Sequence, residues 1–332
     1  MIALDAHGAD RGPATVAEGA RLAGVPVTLF GPAAELGAAD GLVQVEDCPL
    51  AIGAEEEPAR AVRANPDASI ARAAAAVAAG RAGALVSAGP TGAALAASVV
   101  HLKRLRGVHR PAIAVLLPVP GSPTLLLDAG ASTEVRPEHL VQFAYLGAAF
   151  MEAVHAIERP RVGLLSVGEE PAKGTPDVVA AHERLAAGPL DFRGNVEGGD
   201  LTAGSCDVVV TDGFTGNVAL KTMEGTVRTV VGAIGDAVRS SPVSSLGGLL
   251  IRGRVGALRS ELDPNSVGGA ILLGLRHVVV IAHGGSTADG VAQAVRVAAR
   301  AVDERVVDRT RAALAAGDAL RSAPAGSVSE QP

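Results

Sequence analysis

Short apolar runs alternating with longer Ala-rich stretches predict an α/β fold, a mostly parallel sheet with helices on both faces. Two further observations agree. Most of the runs are continuous rather than alternating, as strands buried on both faces should be. Aromatics make up only 2% of the 332 residues, so the core must be built from Ala, Val and Leu, which suits helices packed closely on a sheet.

The elements follow in order. Ile2–Asp5 reads as a strand, and Ala14–Ala23 as a helix. Val27–Phe30 and Leu42–Glu46 are strands, Ile70–Ala79 a helix, Ala84–Ser87 a strand and Ala93–Leu105 a helix. The uncharged stretch from Ala112 is cut by Pro118, Pro120, Gly121 and Pro123, which makes two strands, Ala112–Leu117 and Thr124–Asp128, around a turn. Pro137 with Glu138 behind it starts a helix to Ala156. Strands at Val162–Ser166, Val208–Thr211 and Val278–Ala282 alternate with helices at Asp177–Ala187, Thr215–Val238 and Ala288–Ala315. No linker or internal repeat divides the chain, so residues 1–316 are expected to form one domain, and 317–332, rich in Ala, Ser, Gly and Pro, a disordered tail.

Composition narrows the function. A net charge of −6 with scattered basic residues, and few aromatics, argue against nucleic-acid binding. Cys48 and Cys206 make neither a disulfide framework nor a four-ligand zinc site, and both read as inert. Mean hydropathy is +0.32, yet the stretch from Ala112 is broken by prolines and Ala270–Ala282 by Arg276 and His277, so neither is a transmembrane helix. The opening MIALDAHGAD lacks the features of a signal peptide, and a cytoplasmic location is expected.

One segment breaks the pattern. Residues 240–259, SSPVSSLGGLLIRGRVGALR, hold four glycines and three arginines without an acid. They read either as a mobile surface hairpin or as a basic apolar surface that touches a membrane or an acidic partner through Leu246, Leu249, Leu250, Ile251, Arg252 and Arg254.

Chemistry is expected where strands end in glycine-rich turns: SAGPTGA at the end of Ala84–Ser87, SVGEEPAKGT at the end of Val162–Ser166, TDGFTGNVALKT at the end of Val208–Thr211 and HGGST after Val278–Ala282. Glycine lets the backbone approach a ligand, and free N–H groups at a helix start favour an anion. Four such turns at one sheet edge would make a phosphate or oxyanion site. No two glycines lie two residues apart, which excludes G-x-G-x-x-G; Walker, H-E-x-x-H and G-x-S-x-G patterns are absent too.

The segments IALDAHGAD, SAGPTGA, LLLDAGA, RPEHLVQFA, VGLLSVGEE with a following KG, GNVEG, CDVVVTDGFTGNVALKTMEG, GGAILLGL and HGGST occur in an order that resembles the bacterial fatty acyl-[acyl-carrier-protein]:phosphate acyltransferases, the PlsX family, from Ile2 to about Arg300. The resemblance implies an α/β/α sandwich like phosphotransacetylases and isopropylmalate-type dehydrogenases, a homodimer, peripheral membrane association, and acyl carrier protein and inorganic phosphate as substrates. It implies attack of phosphate on an acyl thioester, with no cofactor and no metal. Phosphate is already a nucleophile, so the protein need only hold it, align the thioester and stabilise the oxyanion.

Lys173 and Asn217 are the expected catalytic side chains, although Asn217 also reads as a helix cap. Asp5, Gly89, Thr91, Gly92, Gly168, Glu169, Asp212, Gly213, Gly216, His283 and Gly284 are expected to bind phosphate or substrate. Asp5 or Asp10 could instead cap the first helix, Glu169 and Glu170 could orient Lys173, and His139 reads as structural. The chain departs from the family pattern at His7, Ala9, Pro90, Ser132 and the HGGST turn. A dehydrogenase of similar fold and a non-catalytic, membrane-associated carrier-binding scaffold are the competing readings.

Overall fold

A computed structural model describes residues 1–117, 123–261 and 268–320, without the side chains of 257–261. The proline-rich turn and most of the expected tail lie outside the described residues.

The chain runs β1 (Ile2–Asp5), α1 (Pro13–Ala23), β2 (Val27–Gly31), α2 (Ala33–Leu36), β3 (Val43–Asp47), α3 (Pro58–Ala64), α4 (Ser69–Ala78), β4 (Ala84–Ser87) and α5 (Thr91–Ala97). It continues β5 (Ala112–Leu117), β6 (Thr124–Leu127), α6 (Pro137–His155), β7 (Arg161–Leu165), α7 (Pro176–Ala186), β8 (Asp191–Val196), β9 (Val208–Val210), α8 (Gly213–Arg239) and α9 (Pro242–Glu261). Then come β10 (Ala270–Leu273), β11 (Val278–Ile281), α10 (Ala288–Asp303) and α11 (Val306–Ala316).

The described strands form one sheet in the order β3-β2-β1-β4-β11-β10-β5-β6-β9-β7-β8. Alternate residues of each strand face opposite sides. Ile2, Leu4, Leu29, Leu127 and Val208 pack with α1, α6, α7, α10 and α11 on one face. Ala3, Phe30, Leu85 and Val279 pack with α4 and α5 on the other, where Leu126 and Val209 meet the start of α8. The result is the expected three-layer sandwich on a mostly parallel sheet.

Strand direction corrects one expectation. β10 is antiparallel to both β11 and β5, and β5 is antiparallel to β6. Pairing is otherwise parallel, so β1–β5 and β11 run one way, and β10, β6, β9, β7 and β8 run the other. The four glycine-rich turns therefore do not share an edge. Those after β4 and β11 lie at one edge, those after β7 and β9 at the other, and β5 and β10 form the seam between.

Other differences have local causes. β10 lies within the stretch broken by Arg276 and His277, which is where the chain turns to pair antiparallel with β11. β8, DFRGNV, is an edge strand of mixed burial without an apolar run. The last helix breaks at Arg305, whose φ of 51° no α-helix accommodates. Most of residues 240–259, expected as a surface hairpin or a basic apolar surface, belongs to the helix α9, which folds back on α8. A Cβ on Gly248 would come within 2.2 Å of Val238 Cγ1, so this glycine lets the two helices close.

Candidate active site

A half-open cavity of about 770 Å3 crosses the sheet face at the seam. Its floor is apolar: Ile113, Val115 and Leu117 of β5, Ala270 of β10 and Ile281 of β11. α8 lies along it and contributes Asn217, Leu220, Met223, Val227 and Arg228, with the ion-paired Lys221 and Glu224 among them. Gly130 and Thr91 line it, as do His283, Gly284, Gly285 and Arg11 from the turns after β11 and β1. Polar groups thus stand at both ends of a trough whose floor is apolar.

The position of Asn217 follows from packing at the root of α8. The Asp128 carboxylate is buried and accepts backbone N–H bonds from Ile113 (3.0 Å), Gly130 (3.1 Å), Ala131 (3.0 Å) and Ser132 (2.8 Å), which fixes the turn after β6. Burial nonetheless holds its pKa above the ordinary carboxylate range, against the pull of those donors. The Gly213 N–H donates to Ser132 O at 2.8 Å. A Cβ on Gly216 would lie 2.0 Å from Asp128 O, and one on Gly213 would lie 2.8 Å from the Asp128 carboxylate. Both glycines are thus wedged against the turn, and Asn217 faces Gly130 across it. The Asp212 side chain accepts from Thr215 N at 2.9 Å and caps α8. Asn217 is therefore no cap, and its amide bonds to no protein group among the described residues.

Lys173 stands apart. Its loop follows β7 and is pinned through its backbone: Ser166 Oγ and Asn195 Nδ2 donate to Lys173 O at 3.0 and 3.4 Å, and Asn195 Nδ2 donates to Glu170 O at 2.8 Å. Gly168 packs beside the Lys173 side chain. Lys173 makes no ion pair with Glu169 or Glu170 among the described residues, and none of the four lines the cavity. Lys173 shares a sheet edge with Asn217, because β7 and β9 are parallel neighbours.

Asp5 also acts from behind. It is buried and accepts from Ser69 Oγ and Ser87 Oγ, each at 2.7 Å. Ser87 Oγ in turn accepts the Gly89 N–H at 3.2 Å. Burial pushes the Asp5 carboxyl up to about 6, against the pull of Ser69, Ser87 and the His7 N–H. Neither Asp5 nor Asp10 caps α1, whose first turn follows Gly12 without a side-chain cap. The Asp10 N–H donates to Gly284 O at 3.2 Å, and Arg11 Nε to Gly285 O at 2.8 Å, tying the β1 and β11 turns together. Gly92 packs on Pro58, and Pro90 on Gly8, so two departures from the expected pattern, at Pro90 and in the DAHGAD turn, meet in space.

His283 Nδ1 accepts the Gly285 N–H at 3.2 Å. His139 Nδ1 accepts the Arg136 N–H at 3.2 Å within the first turn of α6. Both cysteines are buried; burial pushes Cys48 up to about 11 and Cys206 upward as well.

Against this geometry the comparisons are direct. The family described as "Fatty acid synthesis protein" matches residues 1–309. The chain belongs to that family. Proteins called phosphate acyltransferase are similar along its length. The one from Thermobifida fusca (strain YX) is 45% identical over 329 residues, covering 95% of this chain and 91% of its own. The one from Anaeromyxobacter dehalogenans (strain 2CP-1) is 43% identical over 342 residues, covering 99% and 95%. Among solved structures, EutD phosphotransacetylase from Staphylococcus aureus shares the fold with a TM-score of 0.59 at 16% identity, covering 91% of this chain and 94% of its own. A 4-hydroxythreonine-4-phosphate dehydrogenase from Klebsiella pneumoniae does so with a TM-score of 0.54 at 16% identity, covering 91% and 99%.

Residues that sequence reasoning missed include Arg11, Gly130, Lys221, its ion-pair partner Glu224, and Arg228, all lining the cavity. Gly130 and Lys221 stand inside the LLLDAGA and GNVALKT segments, so their signal was present; Arg11 and Arg228 carry none.

Proposed function

We propose that this family member is a phosphate acyltransferase that converts fatty acyl-[acyl-carrier-protein] and inorganic phosphate to acyl phosphate and free carrier protein, for phospholipid synthesis. The observation that carries the reading is near-full-length identity of 40–45% to proteins of that name. The bracketed apolar trough fits an acyl thioester. A phosphate oxygen attacks the thioester carbonyl carbon, the C–S bond breaks, and the sulfur leaves on the carrier and takes up a proton. Asn217, whose amide has no protein partner among the described residues, donates to the carbonyl oxygen as it becomes an oxyanion. Lys173 attracts phosphate from the loop at the same sheet edge. Thr91, Gly284 and His283 offer further donors along the cavity, while Asp5, Asp212, Gly89, Gly213 and Gly216 hold the turns in place.

The chain also acts, on this reading, as a homodimer that touches the membrane peripherally. No helix among the described residues is long and apolar enough to cross a membrane. α9 supports a surface contact, because it is packed inside out. Ser241, Ser244 and Gly248 face α8, whereas Val243 and Leu250 are each 82% exposed. Arg252 and Arg254 are exposed beside Leu246, Leu249 and Ile251, and neither pairs with an acid among the described residues. Such a surface suits an anionic bilayer.

The test is to incubate the protein with acyl carrier thioester and phosphate and to trap acyl phosphate with hydroxylamine. Phosphate-dependent hydroxamate is the expected result, and its absence overturns the activity. Flotation with anionic liposomes and sedimentation velocity check membrane contact and dimerisation separately.

A further inference from the structure

We infer that the acyl chain of the substrate lies in the trough between α8 and the β5–β10 seam, and that Val115 and Met223 set its permitted length. The inference rests on the acyltransfer reading and adds the place of the chain and the residues that measure it.

Three observations carry it. First, the size and lining of the cavity fit an aliphatic chain. Its volume, about 770 Å3, falls in the range of about 300–1,000 Å3 that holds a ligand much larger than an acetyl group. The lining side chains of α8 span Asn217 to Arg228, roughly 16 Å at helical rise, and those of β5 span Ile113 to Leu117, roughly 13 Å at strand rise.

Second, the apolar residues are left uncovered at the places where a chain would lie. Val115 is the one residue of β5 that is not fully buried. Leu220, Met223 and Val227 recur at helical spacing on α8, and all are only partly buried. Third, α8 buries just Gly213 and Gly216 of its 27 residues, both in its first turn. Beyond them its cavity face is only partly covered, Leu220 and Met223 touching the core beneath, and a chain in the trough completes that cover.

Val115 stands midway along the lined stretch of β5 and Met223 midway along that of α8, beside the Lys221–Glu224 ion pair. A larger side chain there shortens the space for an acyl chain whichever end holds the thioester.

Two measurements test this. The first compares kcat/KM for hexadecanoyl and hexanoyl carrier thioesters in the wild type, Val115→Phe, Met223→Trp and the outward-facing control Thr222→Phe. Each buried methylene is worth about fourfold in binding, so displacing a few of them should lower the long-to-short ratio at least tenfold in the first two variants. The control should keep the wild-type ratio. The second follows amide exchange in α8 with hexadecanoyl- or acetyl-pantetheine. The long chain should slow exchange from Leu220 to Arg228, and the acetyl thioester should not.

An unchanged chain-length ratio in variants that still make acyl phosphate overturns the placement and leaves the acyltransferase reading intact. If α8 is equally protected by both thioesters, or by neither, the placement also falls, whether or not the protein turns over. A wild type that makes no hydroxamate but shows chain-dependent protection of α8 keeps the placement and removes the activity.

Discussion

α6 and the α8–α9 arm are both long helical elements, and they treat their apolar residues in opposite ways. α6 buries nearly its whole length, including Phe143, Leu146 and Phe150, between the sheet, α7 and α11. α8 buries two glycines at its root, and α9 points its large side chains away from the helix it packs on. The first pattern is that of a helix specified by its own core. The second leaves large apolar side chains without cover among the described residues, and the proposals above supply that cover: a ligand beneath α8 and a surface beyond α9. Apolar content alone does not separate the two, because both are rich in Val, Leu and Ala or Gly. Burial does.

The largest expected effect lies in the core. Phe150→Ala should cost about 3–5 kcal/mol by urea denaturation, because a fully buried aromatic leaves a cavity that tight packing cannot close. A loss under 1 kcal/mol would mean that α6 is not the core element described.

Next comes Asn217→Ala at the root of α8. The rate of acyl phosphate formation should fall about 10²–10³-fold, as expected for one oxyanion donor. Stability should not change, because Asp212 and not Asn217 caps the helix. Lys173→Ala should lower activity over a similar range if the loop moves its ammonium towards the cavity with substrate bound. Near-normal turnover would restrict Lys173 to the surface role its present position allows.

Much of this frame was legible in the sequence. The ends of β1, β4 and β9, and the start of α8, stand where continuous apolar runs give way to Asp5, to Ser87 just before Gly89 and to Thr211 just before Asp212. The DGFTGN block marks the root of α8 because Gly213 and Gly216 have no room for a side chain. Strand direction was not legible. It is decided at the seam, where β10 and β5 pair antiparallel, and four-residue runs such as AILL carry no mark of the partner they choose. The role of Asp128 was hidden for the same reason. An Asp after a strand is commonplace, and only the fold brings four N–H groups to its carboxylate. The cavity floor was invisible too, since Val115 looks like every other strand valine until its neighbours are known.

Asp5 sharpens the contrast on the core side of the site, where ionisable groups are enclosed rather than offered. Its folded pKa of about 6 lies above the ordinary 3.8. Between these values the folded chain keeps a proton that the unfolded chain has released. Its favourable contribution is therefore complete below pH 3.8 and is lost as pH rises through 6. The total is about 3 kcal/mol at most. The stability of the wild type relative to Asp5→Asn should fall over that window, measured by urea midpoints at several pH values. A flat difference would show that Ser69 and Ser87 hold the carboxylate charged throughout.

Gly216→Ala probes the boundary between the two regions. The new methyl would meet the Asp128 carbonyl, so α8 must shift outward. A cost of about 1–3 kcal/mol is expected for such overpacking, together with a loss of activity as Asn217 moves off Gly130. Full activity with full stability would show that the root of α8 is loose enough to yield.

The smallest effect on stability belongs to the arm. Replacing Leu249, Leu250 and Ile251 together by Ser would remove three large side chains, a change that would unfold most cores. Here the three side chains are exposed, and contacts that join α9 to α8, Gly248 against Val238 and Ser245 Oγ to Val238 O, are untouched. The global unfolding free energy should therefore stay within about 0.5 kcal/mol of the wild type, as for surface substitutions generally. Serine is a poorer helix former than leucine, so the far end of α9 should lose some helicity by circular dichroism without a change in the main transition. If anionic liposomes hold α9, the same variant should no longer float with them, while acyl phosphate formation in solution persists. A drop of several kcal/mol would show instead that these leucines are buried in the protein as it exists in solution, against a second copy of the chain, and sedimentation velocity of wild type and variant would then show the dimer lost along with the stability.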